Sequence, residues 1–196
     1  FSAGKVQCKS DSGGEPRLDL GQVLELARPS SRYNQGEMGL DVTSYFRSDE
    51  ECFPCGAHAV HLTVDPETGK IEIERYVVAE DVGHVINPMI LTGQLVGATA
   101  QGIGATILEE LVYDEGGQPL AGSLMDYLLP TSRDIPRIES EVVNLAPSPL
   151  NPLGVKGAGE IGIVATGAAL SNAVSQALSS LGGQVRELPL SPDRLV

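Results

Sequence analysis

The segment Gly154-Val-Lys-Gly-Ala-Gly-Glu-Ile-Gly162 sets one carboxylate, Glu160, among closely spaced glycines, just ahead of an Ala-rich stretch with helical spacing. Glycines at this density let a backbone turn sharply or let another group approach it closely. A carboxylate in that setting has two readings. It can charge the start of the following helix, a contribution of roughly 0.3–1 kcal/mol. It can instead act as a general base beside a loop whose N–H groups hold a cofactor or an oxyanion. Spacing alone leaves both open.

Other constellations are weaker. Gly157-x-Gly159-x-x-Gly162 matches the dinucleotide fingerprint as a string, but the residues before it are Pro-rich and no acid stands at the required distance beyond. The phosphate-binding loop fails because no Gly-Lys-Ser/Thr follows. Cys52-x-x-Cys55-x-x-His58-x-x-His61 has zinc-ligand residue types, yet structural zinc sites separate the Cys pair from the His pair by more. On a strand, His58 and His61 point to opposite faces, which predicts a solvent-side hairpin with incidental thiols and no metal site. Gln94 and Gln101, seven apart, stand beside a stripe of Gly93, Gly97, Ala100 and Gly104. Their amides can bond neighbouring backbone, or donate to and accept from a pterin-like heterocycle. The three histidines suggest no nucleophile triad by local spacing.

The elements that position these residues read as α+β, a mixed sheet with packed helices. Asp19 to Ala27 predicts a short helix with Leu20, Val23, Leu24 and Ala27 on one face. Alternation from Ala57 (Val60, Leu62, Val64), the turn Asp65-Pro-Glu-Thr-Gly69, and then Ile71, Ile73 and Val77 predict a hairpin. A helix runs from about Ile90 to Leu111 with Pro88 in its first turn. Strands are expected at Met125 to Leu129, Ile138 to Leu145 and Val185 to Leu190. A second helix spans Ala165 to Leu181 and stops at Gly182-Gly183, and Ser191-Pro192 opens a last one. Asp11 to Pro16 is a turn cluster and Arg28 to Gly39 a loop. The chain divides into residues 1–50, irregular, and 51–196.

The chain has 196 residues and a net charge of -13, which argues against nucleic acid and anionic membrane surfaces as partners. Cys8, Cys52 and Cys55 make no disulfide framework and point to a reducing, cytoplasmic setting. Phe1 in place of Met predicts a fragment or processed chain, and no targeting signal is visible. Met89 to Leu108 is uncharged and long enough to cross a bilayer, but its Gln, Thr and Gly residues suit a helix buried in protein.

A series of motifs arrives in order: Val85-Ile-Asn-Pro88, Gln94-Leu-Val-Gly97, Gln101-Gly-Ile-Gly104, Leu108-Glu-Glu-Leu111, Ser123-Leu-Met-Asp-Tyr127, Pro147 through Glu160, and Leu188-Pro-Leu-Ser-Pro192. The stretch from Phe53 to Arg194 resembles the C-terminal part of the molybdopterin-binding large subunit of the xanthine oxidase family. Within that family it is most like the aerobic carbon monoxide dehydrogenase and aldehyde oxidase type; residues 1–50 match poorly. The resemblance implies a molybdenum hydroxylase that adds water-derived oxygen to an aldehyde, an N-heterocycle or a CO-like substrate. In that reading Glu160 is the general base. Gln101 is the amide to the pterin with Gly102 clearing its approach, Gln94 and Gly159 line the same site, and no side chain here ligates the metal. The cofactor is molybdopterin in its cytosine dinucleotide form, and FAD and 2Fe-2S clusters sit on partner subunits. The partners are the remainder of the large subunit, the FAD-binding and iron–sulfur subunits and a small-molecule substrate. His84 departs from the Arg or Lys common in relatives, as a surface variation. The alternative is a non-catalytic scaffold or interaction domain that keeps the fold.

Overall fold

A computed structural model describes residues 5–6, 18–28, 43–48 and 50–195. The chain forms two units, Phe1–Arg47 and Ser48–Val196. In the first, β1 (Lys5–Val6) pairs antiparallel with β2 (Leu18–Asp19), and α1 (Leu20–Ala27) follows. Asp19 starts that helix through a capping box: its carboxylate accepts from Gln22 N at 2.8 Å, and Gln22 Oε1 accepts from Asp19 N at 2.9 Å. Val23 and Ala27, on the expected apolar face, are half-buried. The Asp11 to Pro16 turn, Cys8 and the loop beyond Arg28 lie outside the described residues.

The second unit is built on a three-stranded sheet ordered β3 (Cys55–Val64), β4 (Ile71–Asp81) and β5 (Ile138–Val142). The first two strands form the expected hairpin, closed where Gly69 N donates to Asp65 O. Its register carries a consequence that the alternation did not reveal. Between His61 and Leu62 the pairing jumps from Arg75 to Ile73, so one extra residue bulges from β4. A bulge shifts the two-residue phase. Ile71 and Ile73 pack against the core, but beyond the bulge Tyr76, Val78 and Glu80 turn inward and Val77, expected there, does not share their full burial.

α2 (Pro88–Ile107) and α4 (Thr166–Ala177) pack on each other; α4 lies against β3 and α2 reaches β5. Asn87 caps α2 by accepting from Ile90 N at 3.1 Å, with Pro88 in the first turn. Tyr76, Val78, Ile103, Leu170, Val174 and Leu190 form the centre of the core. The close approaches of α2 are made beside the small-residue stripe and not by its first two glycines. Gly93 and Gly97 face open space, whereas a Cβ on Gly102 would lie 2.7 Å from Thr166 Cβ. Gly162 likewise sits 2.7 Å, by its virtual Cβ, from Leu95 O. These two glycines set the close approach of α2 to the helices after the glycine loop.

Several elements differ from expectation. α2 ends at Ile107, four residues before Leu111. Met125 to Leu129 is no strand: Asp126 N and Tyr127 N both donate to Ser123 O, and local bonding to Ser123 wins over β propensity. The second helix appears as α3 (Ile161–Val164), α4 and a 3-10 turn, Ser179–Leu181, ending at left-handed Gly182. Val185 to Leu190 joins no sheet. Its Leu190 N donates instead to Thr106 O at the end of α2, which leaves the Leu190 side chain buried. α5 (Pro192–Leu195) closes the chain at Ser191-Pro192.

Candidate functional site

The glycine loop is seated from two directions. Ala158 and Ile161 pack onto Val82, Leu91 and Leu95, a second apolar cluster between β4 and α2. On its other flank, Lys156 N donates to Val82 O at 2.9 Å, and Asn151 bonds both ways with the Val155 backbone. Asp81 ties these parts together. Its Oδ1 accepts from Gly83 N at 2.9 Å; its Oδ2 accepts from Ala146 N at 3.1 Å and from Lys156 Nζ at 3.2 Å. The Gly83 N–H first, with Lys156 and the Ala146 N–H, holds the Asp81 carboxyl below its ordinary range.

Between those anchors the loop opens onto a cavity of about 500 Å³ lined by Gly157, Gly159, Glu160, Cys52, Cys55 and His58, among others. Gly157 and Gly159 have no atom within 4 Å of a virtual Cβ, so the backbone is bare toward that space. Glu160 precedes α3 but its side chain caps nothing, its backbone already lies in the right-handed helical region, and it is exposed. The helix-cap reading therefore has no hydrogen bond behind it. The Pro-rich residues before the loop form no strand beyond a single bridge of Val155 to Gly83, so the dinucleotide fold is absent.

The other expected residues are distributed around this loop. Gly159 and Glu160 share the first cavity. Gln94, exposed on α2, lines a second space of about 290 Å³ with His84, Asn87 and Lys156, and Ala158 borders both. The loop is thus a thin wall with Glu160 on one side and Gln94 on the other. Gln101 is exposed further along α2, and the room left by Gly102 is occupied by Thr166. His84 is exposed and its N–H donates to Gly154 O.

The opposite wall holds what sequence reading missed. His58 is not on a solvent side: its side chain is 2% exposed, against 71% for His61. His58 Nδ1 stands 2.9 Å from the Tyr76 hydroxyl, and Nε2 stands 3.4 Å from Glu80 Oε1. Glu80 is fully buried and neither of its oxygens has a well-formed hydrogen bond among the described residues. Gly56 makes this possible, since a Cβ there would meet Ala79 O at 2.8 Å and Glu80 Cγ at 3.3 Å. The pair has ion-pair spacing, but burial pushes the Glu80 carboxyl up to about 7 and the His58 imidazole down. Desolvation outweighs mutual attraction, and the two groups are held toward neutrality. A carboxylate in phase with Tyr76 and Val78 was the available signal, hidden by the bulge. Among the described residues, no three His, Cys, Asp or Glu side chains converge as a metal site, and no helix is long and apolar enough to cross a membrane.

Residues 1–136 match the family model of the molybdopterin cofactor-binding domain. The chain is 36% identical to the 6-hydroxypseudooxynicotine dehydrogenase complex subunit gamma of Paenarthrobacter nicotinovorans over 196 residues, all of this chain and 24% of that protein. It is 39% identical to the nicotine 6-hydroxylase large subunit of the same organism over 184 residues, 93% of this chain and 22% of that protein. Quinoline 2-oxidoreductase from Pseudomonas putida 86 superposes with a TM-score of 0.69 at 41% identity, over 71% of this chain and 18% of that one. The chain spans about a quarter, or less, of the length of these relatives.

Proposed function

Because the chain belongs to the molybdopterin cofactor-binding domain family of molybdenum hydroxylase large subunits, we propose that it supplies the general base, Glu160, of a molybdenum-dependent hydroxylase. The observation that carries this reading is a carboxylate that caps no helix, on a bare glycine loop, facing a cavity of about 500 Å³. A general base must reach the proton it removes, and a loop without side chains lets a flat cofactor edge come near it.

The loop suits such a group, since Gly157 and Gly159 leave space at the cavity wall; the Gln94 and Gln101 amides are exposed on α2 outside that cavity, where they would donate to and accept from the part of a pterin that extends past the loop. Gly102 serves from inside, by letting α2 close on Thr166 and fixing the helix that carries both amides. When bound, molybdopterin supplies a redox centre that withdraws two electrons from the substrate carbon as water-derived oxygen is added. Glu160 receives the proton that the attacking oxygen gives up, from a position that Ala158 and Ile161 fix by seating the loop on its apolar cluster. The proposed cofactor form is the cytosine dinucleotide. The proposed partners are the rest of the large subunit and FAD-binding and iron–sulfur subunits, in keeping with relatives named as subunits of larger enzymes. Nicotine and quinoline in the names of the relatives favour an N-heteroaromatic substrate.

The test is Glu160→Gln in the complete enzyme. Cofactor content should stay near one per subunit while turnover falls roughly a hundred- to ten-thousandfold. Unchanged turnover would return Glu160 to a helix-start charge, whereas a complete protein that holds no molybdenum would favour the non-catalytic scaffold. The 196-residue stretch alone is expected to hold no molybdenum, and stoichiometric metal in the purified chain would overturn that expectation.

A further inference from the structure

We propose that Glu80, His58 and Tyr76 form a one-proton store behind the wall of the Glu160 cavity, which exchanges its proton with that cavity and reverses the Tyr76–His58 hydrogen bond as it does so. The store is defined by geometry alone; its consequence for turnover rests on Glu160 being the base.

One proton lies between Tyr76 and His58 across 2.9 Å, and its direction fixes what faces Glu80. If the phenol donates to Nδ1, a neutral ring carries its hydrogen on Nε2 and donates toward a Glu80 carboxylate. If Nδ1–H donates to the phenol oxygen, Nε2 is a bare acceptor, and Glu80 must be a carboxylic acid that donates to it. The second arrangement holds one proton more than the first. Filling the store converts the carboxylate to acid, moves the imidazole hydrogen from Nε2 to Nδ1, and turns the phenol hydrogen toward the Thr166 hydroxyl, which is within bonding reach. No heavy atom has to travel.

Three features make the site a store and not a frozen pair. Glu80 is buried with both oxygens lacking a proper partner, so an ionised form is costly and an acid form is costly to leave unbonded. Other titratable or charged groups on the surrounding elements do not neutralise it. They are Cys55 and His61 on β3, Glu72, Glu74, Arg75 and Asp81 on β4, and Cys52, Lys156 and Glu160 on the flanking loops, while α2, α3 and α4 carry none; His61 pairs with Glu74, and Glu72 is exposed. Lys156 is bound to Asp81, and Glu139 on β5 is bound to Arg75, with Glu141 exposed. Finally, Gly56 and His58 both line the cavity and both lie against Glu80, so the carboxyl has a glycine and an imidazole edge between it and that space. Its titration near neutrality agrees with this role. With Glu160 as the base, the proton it collects leaves its carboxyl and arrives on Glu80, which restores the Glu160 carboxylate.

The experiment uses the complete subunit with ¹⁵N-labelled imidazoles. The His58 Nδ1 and Nε2 signals should exchange protonated and bare character between about pH 6 and about pH 8. Glu80→Gln, whose amide does not titrate, should remove the pH-dependent exchange of the His58 nitrogens, and the neutral limb of the kcat profile should vanish with it. If that variant does not fold, the wild-type infrared band of a buried protonated carboxyl serves instead, and it should disappear over the same interval. A single tautomer throughout, or an absent band, overturns the store. Glu160→Gln separates the two readings: loss of turnover with the His58 exchange intact supports both. Full turnover with the exchange intact removes the base and leaves the store.

Discussion

Two glutamates stand 80 positions apart in the chain, one lining the cavity and one buried behind the His58 that lines it. Glu160 is exposed on a backbone stripped of side chains, held by its neighbours Ala158 and Ile161 and bonded to no helix end. Glu80 is embedded in a strand, under a glycine and beside an imidazole, where burial makes its ionised form costly. In the interior, burial raises the Glu80 carboxyl to about 7; at the surface, Glu160 stands open to the cavity, where the proposed base would have to be. Environment, and not residue type, assigns the two roles.

The sharpest way to break this contrast is to neutralise each acid in turn. At Glu160 the expected loss, up to four orders of magnitude in kcat, corresponds to about 5 kcal/mol of transition-state stabilisation at its upper end, with little change in unfolding midpoint. A comparable loss of thermal stability would mean that the exposed glutamate is structural after all.

A truncation beneath the loop probes the seating that the contrast depends on. Leu95 is fully buried between the sheet and the loop residues Ala158 and Ile161. Leu95→Ala should cost about 2–5 kcal/mol in denaturant unfolding. Because Gly162 abuts the Leu95 backbone, the glycine loop should also exchange its amides faster.

The buried acid predicts a pH dependence of definite sign. Its folded value is raised from 4.5 to about 7, so its contribution to stability is complete below about pH 4.5 and lost as pH rises through about 7. The fall amounts to about 3 kcal/mol and then levels. In Glu80→Gln the decline over this window should flatten, which urea titrations at several pH values would read. A wild-type stability that rises steadily across the same interval would contradict the assignment. Asp81 runs the other way, since its lowered carboxyl stabilises above its ordinary value and loses that contribution in acid.

The smallest effect belongs to the second histidine of the hairpin. His61 pairs with Glu74 at 3.1 Å, but both side chains are largely open to solvent. His61→Ala should change stability by less than about 1 kcal/mol, whereas His58→Ala uncovers Glu80. Equal effects from the two would erase the distinction between the faces of the strand.

Much of this was legible in the residues. The hairpin was visible because its turn, Asp65 to Gly69, and its alternation are local. The start of α2 was visible because Pro88 suits a helix first turn; the Asn87 cap beside it emerged with the structure. Ordered motifs over most of the chain carried the family, and the likeness to the pseudooxynicotine enzyme extends over all 196 residues. The two strands that do not form share one cause. Met125 to Leu129 and Val185 to Leu190 have strand-like composition, yet each is fixed by a bond that composition does not encode, to Ser123 O and to Thr106 O.

The sequence by itself determined that a carboxylate would sit on a bare glycine loop before a helix, because glycine density and the following apolar run act within a few residues. Only the tertiary structure decided which residues face that loop. One bulge in β4 reversed the phase of the strand and brought Tyr76, Val78 and Glu80 inward. The glycines at 56, 102 and 162 acquired their meaning from a carboxyl, a threonine and a carbonyl distant in the chain. Register and close approach are set by pairing between segments, and no local propensity can fix them.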